Sequence, residues 1–219
     1  MPAAKRPRSG ASAVARPRRT QAERRAATRG AVLDAALDEL VEHGYGAMTT
    51  RRVGERASVS QGTVMHYFRS RPELVGEVVR HASSRFTEEI TTVGRTRART
   101  PRTRFVAMLD ALWEVQNGPI AQAVTELWVV GRREPAVADA VREAQHDVVR
   151  QVSAAVVELF PGIATTPQGV RLLDEVLAIS RGMSFDSLIG DRADADRRWD
   201  GVRAGLVARF EALVAELGA

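Results

Sequence analysis

A chain of 219 residues, 44% of them apolar, is long enough to bury one large core or two small ones, and the absence of cysteine excludes disulfides, thiolate metal sites and a cysteine nucleophile. His43, His66, His81 and His146 form no pair at helical ligand spacing, and no stretch approaches the roughly 18 apolar residues of a membrane span, so neither a metal, a cofactor nor a membrane role is expected. The net charge of +5 is unevenly placed: the first thirty residues hold nine Lys or Arg against Glu23 alone, whereas the remainder holds 23 basic and 26 acidic residues.

Residues 1–19 are Pro, Ala, Ser and Arg without an apolar period and read as a disordered basic arm. Such an arm suits a polyanion, because each cation set against a phosphate releases a condensed counterion; the plainer alternative is a solvated tail. The run "ASAVA" ends at Arg16, too short for a secretory signal, so a soluble cytoplasmic protein is expected.

Order is predicted to begin at Thr20, which with Glu23 three residues on makes a capping box. Val32, Leu33, Ala36, Leu37, Leu40 and Val41 then recur at helical spacing, and Gly44 marks a left-handed stop. A second, short helix opens at Thr49 or Thr50 and buries Val53 and Ala57. Ser60 caps a third, with Val64 and Phe68 inward, and Pro72 fits the first turn of a fourth that carries Leu74, Val78 and Val79 toward Ile90. "GRTRARTPRTR", Gly94 to Arg104, has no apolar period and reads as a linker. Beyond it only helical periods occur, roughly at 103–116, 120–133, 136–160, 168–188 and 193–217; with no period of two anywhere, the fold class is all-α.

Two short helices joined by a Ser-Val-Ser turn, the second crowded with hydrogen-bonding side chains, have the layout of a helix-turn-helix. "TTRRVGERASVSQGTVMHYF" followed by "RSRPEL" resembles the N-terminal DNA-binding domain of the TetR family of bacterial transcriptional regulators, over about fifty-five residues. The resemblance implies an N-terminal three-helix helix-turn-helix domain at residues 20–75. A larger helical ligand-binding and dimerisation domain would follow at 76–219. It further implies a homodimer on a palindromic operator of double-stranded DNA, acting as a repressor that a small-molecule effector releases.

Carried over by position, the resemblance implies base contacts from Arg51, Gln61, Gly62 and Thr63. The chemistry agrees, since Arg bonds guanine bidentately and Gln does the same with adenine. Thr50, Ser60, Met65, His66, Tyr67 and Arg71 fall at phosphate-side positions, which set register and not sequence. Alternatively Thr50 only caps, Tyr67 only packs and His66 lies idle on the surface. Three residues depart from the family pattern. Gly54 stands where Ala is usual, Ser58 replaces a turn Gly and would be strained in a left-handed conformation, and Met65 removes a Tyr hydroxyl.

The helical body offers Phe105, Met108, Trp113, Leu127, Trp128, His146, Met183 and Phe185 as candidate pocket residues, with Glu126 and Arg132 as further polar candidates; helical spacing explains the apolar members equally well as core. Leu172, Val176, Ile179 and Met183 form one apolar stripe, and Trp199, Val202, Leu206 and Phe210 another. Both are candidates for a dimer interface or for the protomer's own core. No nucleophile and base signature, phosphate loop or paired-carboxylate motif stands out, so no enzyme is expected. The competing reading is a helical small-molecule or lipid binding protein without sequence-specific DNA binding.

Overall fold

The computed structural model describes residues 20–96 and 100–218, and among these residues there are helices and turns but no strand. The basic arm expected at residues 1–19 lies outside them. In chain order the helices are α1 (Gln21–Ala47), α2 (Thr50–Arg56), α3 (Gln61–Tyr67), α4 (Arg71–Thr96), α5 (Pro101–Gln116), α6 (Pro119–Gly131), α7 (Pro135–Leu159), α8 (Pro167–Ser187) and α9 (Arg192–Leu217).

The helix starts follow from local chemistry. Thr20 and Glu23 close the predicted capping box, with Thr20 N–H donating to the Glu23 carboxylate at 2.7 Å and Glu23 N–H to Thr20 Oγ1 at 3.2 Å. Each of α5 to α8 begins on a proline, whose missing N–H would have no partner in a first turn anyway. Sequence periodicity placed these starts one or two residues late because it follows apolar side chains and not the proline that precedes them.

The predicted linker is mostly helix. Gly94 to Thr96 belong to α4, and Thr100 N-caps α5 by accepting from Thr103 N–H at 3.2 Å; only residues 97–99 of the stretch lie outside the described chain. Lack of an apolar period was a poor guide here, since a capped, arginine-rich helix end needs no buried stripe of its own.

Two apolar clusters organise the packing. The first gathers Val32 and Leu40 of α1, Val53 of α2, Val64 of α3 and Leu74, Val75, Val78 and Val79 of α4, together with Leu127 of α6 and Val137 and Val141 of α7. The second gathers α5, the end of α7, α8 and α9. There Phe105 stacks on Phe210 at 4.1 Å, Phe160 meets both edge-on, and Trp113 stacks on Trp199 at 4.8 Å. A boundary at residue 75/76 falls inside α4, whose buried residues serve the helix-turn-helix and the body at once.

Candidate nucleic-acid interface

Val53 and Val64, both fully buried, anchor α2 and α3 on α1, and Gly54 sets how tightly the turn between them closes. A Cβ at Gly54 would stand 2.9 Å from Val59 O, so the departure from Ala gives the turn room to fold back onto α2. Ser58 takes φ +55, the left-handed conformation expected of the residue it replaces. That geometry costs a non-glycine residue about 1–2 kcal/mol, partly offset by the greater chain entropy that glycine loses on folding. Ser58→Gly is therefore expected to raise stability by about 0.5–1 kcal/mol, read as a small upward shift of the thermal midpoint. A lower midpoint would mean that the serine hydroxyl compensates.

Caps then decide which polar atoms are free. Thr49, not Thr50, caps α2, accepting from Arg52 N–H at 3.2 Å. Thr50 Oγ1 is left to accept from Gln61 Nε2 at 3.1 Å, which ties the starts of α2 and α3 together. Ser60 Oγ caps α3, accepting from Thr63 N–H at 3.0 Å, and shares a hydrogen bond with Thr63 Oγ1. Gln61, Gly62, Met65 and His66 are exposed along α3, Thr63 and Tyr67 are half-buried, and the Arg51 side chain is 73% exposed with Glu55 3.7 Å away. Thr50, Gln61 and Thr63 are thus tied to the mouth of the turn, with Arg51 next to Thr50 in the first turn of α2.

Arg71, carried over as a phosphate contact, is folded inward. Its guanidinium lies 3.7 Å above the Tyr45 ring, with Nε and Nη2 buried and without a hydrogen-bond partner, so reaching a phosphate requires it to leave that ring. Tyr45 is in turn held by the body: its N–H donates to Glu126 at 2.8 Å and its hydroxyl to Glu134 at 3.0 Å. Gly44, at φ +72, turns the end of α1 against Glu126. Glu126, considered as pocket polarity from sequence, serves this contact.

Glu39 is a residue that periodicity passed over, although it lies three residues after Ala36 on the apolar face of α1. It is 4% exposed and accepts from Arg52 Nε at 2.7 Å and Arg56 Nε at 2.8 Å; Arg56 also pairs with Glu42. Burial pushes the Glu39 carboxyl up, but the two guanidiniums outweigh it and hold it below the usual carboxylate value of 4.5. Because the folded pKa is depressed, this contribution to stability is complete above about pH 4.5 and drains away as pH falls further. Glu39→Ala is expected to destabilise the fold by about 2 kcal/mol at neutral pH, since two charge-assisted hydrogen bonds go but both cations can reach water. The deficit should shrink on acidification; a constant deficit from pH 7 to 3 would remove Glu39 as its source.

Behind the helix-turn-helix, α4 to α8 line a half-open cavity of about 140 Å³ whose walls include Trp128 and Phe185 of the predicted set, both partly exposed. Leu127, Trp128 and His146 line an adjoining open hollow of about 430 Å³ together with Arg132, and Met108 lines a third space of about 130 Å³. Trp113 is core instead: buried on Trp199, it donates from Nε1 to Asp196 at 2.7 Å. Phe105 is fully buried beside a void of only about 10 Å³, and Met183 packs against the second cluster.

The predicted dimer stripes are also core. Leu172, Val176, Trp199, Leu206 and Phe210 are each at most 4% exposed within the single protomer, and Ile179, Met183 and Val202 pack against them. The five buried members have little apolar surface left for a partner, whereas Ile179, Met183 and Val202 are half-buried and keep part of theirs. The outer faces of α8 and α9 carry small residues: Ala178 and Gly182, then Gly201, Ala204, Gly205, Ala208 and Ala212, all exposed.

Residues 32–78 match the family model for bacterial regulatory proteins of the tetR family. An uncharacterised HTH-type transcriptional regulator of Mycobacterium tuberculosis is 26% identical over 157 residues, covering 68% of this chain and 76% of its own. The HTH-type transcriptional regulator BetI of Paraburkholderia phymatum is 31% identical over 127 residues, 57% of this chain and 62% of its own. The crystal structure of the multidrug binding protein EbrR complexed with proflavin shares the fold, with a TM-score of 0.55 at 19% identity, over 83% of this chain and 99% of that one.

Proposed function

Since the chain belongs to the TetR family of bacterial transcriptional regulators, we propose that it is a cytoplasmic, homodimeric repressor that leaves a palindromic DNA operator when a small molecule occupies its helical body. Residues 20–75 form the reading head, 76–219 the effector and pairing body, and the basic arm 1–19 adds affinity without readout. The observation that carries this is the polar cluster of exposed Arg51 and Gln61 with half-buried Thr50 and Thr63, tied across the turn by the Gln61 to Thr50 hydrogen bond. These side chains have donor and acceptor patterns suited to base edges, and they have no core to fill. Tyr67, His66 and Ser60 flank them on the phosphate side, with Met65 offering only an apolar edge.

Pairing is assigned to the exposed small-residue faces of α8 and α9, where Gly and Ala let two helices approach closely, and not to the stripes spent on the protomer's core. That EbrR was solved with proflavin supports a small-molecule effector for this body too. Selection of bound duplexes from a random pool tests the reading. It should return a palindrome with half-site centres about one helical turn apart, or somewhat more if the heads splay. An asymmetric motif, or light scattering showing one protomer per duplex, would overturn it.

A further inference from the structure

The cavity between α4 and α8 has one formal charge and nothing of this chain to balance it. No Asp or Glu lines it among the described residues; its polar groups are the Arg181 guanidinium, the Gln116 and Gln145 amides, and the Ser83 and Thr125 hydroxyls. Both hydroxyls are already spent on backbone carbonyls of their own helices, Ser83 on Val79 O at 2.8 Å and Thr125 on Ala121 O at 2.9 Å.

Arg181 is half-buried and has neither an ion pair nor a hydrogen bond to any described residue. Its one neighbour of note is the Trp128 ring, 5.1 Å from the guanidinium carbon. Arg192 shows what a compensated counterpart looks like: it sits 5.8 Å from the Trp113 ring, and Glu114 and Asp196 hold its nitrogens at 3.0 and 2.7 Å. On α4, Arg80 likewise has Glu77 and Asp147. The missing partner is thus a property of the cavity and not of a chain short of acids.

The Arg181 guanidinium is half out of water and meets no anion of this chain, so it is left as one half of an ion pair, and burial here lowers its affinity for its proton. We propose that this cavity selects an organic anion, a compact apolar body bearing a single carboxylate, and that Arg181 is the residue that meets its charge. A carboxylate takes two parallel N–H donors from the guanidinium fork, and the Gln116 and Gln145 amides supply further donors. Trp128 and Phe185 give the apolar body flat walls, and Val124 and Val148 are among the aliphatic side chains beside them. A cationic ligand of the same shape would face an unscreened like charge. This assignment rests on the body being the effector domain, and it adds the charge class of what enters it.

The test uses the full chain and three probes of one shape: 2-naphthoate, its neutral methyl ester, and 2-naphthyltrimethylammonium. Calorimetry should show naphthoate binding at least about tenfold more tightly than the ester, as a charge-assisted pair warrants, with the cation weakest. Arg181→Met should erase that preference while ester affinity, helical circular dichroism and thermal midpoint stay unchanged, and Arg181→Lys should keep part of it. Three results overturn the assignment: ester binding as tight as naphthoate, a preference that survives Arg181→Met, or no binding by any probe to a chain that still dimerises and holds its operator. A variant that falls apart into monomers with its preference intact would assign the guanidinium to pairing of subunits instead. Operator release is read separately: naphthoate bound at saturation with DNA affinity unchanged overturns the effector reading and leaves the anion site standing.

Discussion

Replacing Arg51 and Gln61 together by alanine is expected to abolish sequence preference while leaving the protein folded and still able to hold DNA. Each substitution should cost about 1–3 kcal/mol at the preferred duplex and relax discrimination at one base pair per half-site. Binding to random duplexes should hardly change, because phosphates are the same in every sequence. Folding should survive, since Arg51 is largely in water and the hydrogen bond that Gln61 gives up, to Thr50, is itself exposed. Anisotropy titrations on preferred and scrambled duplexes measure both quantities. Base preference retained by the double variant, at an unaltered melting temperature, would remove this cluster as the reading head.

The largest effect on the fold is expected from Gly169→Ala. Gly169 lies in the first turn of α8, its N–H donating to Thr166 Oγ1 at 3.0 Å, and a Cβ there would stand 2.0 Å from Ile163 O and 2.7 Å from Ile163 C. Both atoms are backbone, so no rotamer change relieves the clash. The turn from Phe160 to Thr166 must shift instead, and with it Phe160, Ile163 and Leu172 of the second cluster. A loss of about 3 kcal/mol is expected from such overpacking, checked by denaturant unfolding. A loss below about 1 kcal/mol would show that the turn yields easily. DNA affinity per folded molecule should change little, because the helix-turn-helix packs in the other cluster.

Helix starts were legible because their causes are local. A Thr and a Glu three residues apart, or a proline in a first turn, act over one turn of chain whatever lies elsewhere, and so α1, α2 and α3 stand within a residue or two of where their caps predicted. Strain at Ser58 was legible through the family resemblance, which puts a turn glycine at that position, and the left-handed φ is there. The polar crowding of α3 likewise pointed to a surface that touches something, since the helix buries Val64 alone and Phe68 at its C-cap.

Which partner each apolar or charged side chain meets was not local, and sequence periodicity is silent on it. The stripe from Trp199 to Phe210 has the same spacing whether it faces its own protomer or a second copy; only packing showed that Trp113 and Phe105 already cover it. Trp113 became core and Trp128 a cavity wall although both are tryptophans on neighbouring helices. Glu39 beneath Arg52 and Arg56, Glu126 and Glu134 on Tyr45, and Arg181 with no acid near it are decided by helices 13 to 89 residues apart in sequence, or by their absence. The sequence by itself therefore determined the helices, their caps and the exposed polar face of α3, through interactions that close within one turn. Tertiary structure alone decided the pairing of charges and the ownership of apolar surface, because burial depends on what the rest of the chain brings to that face.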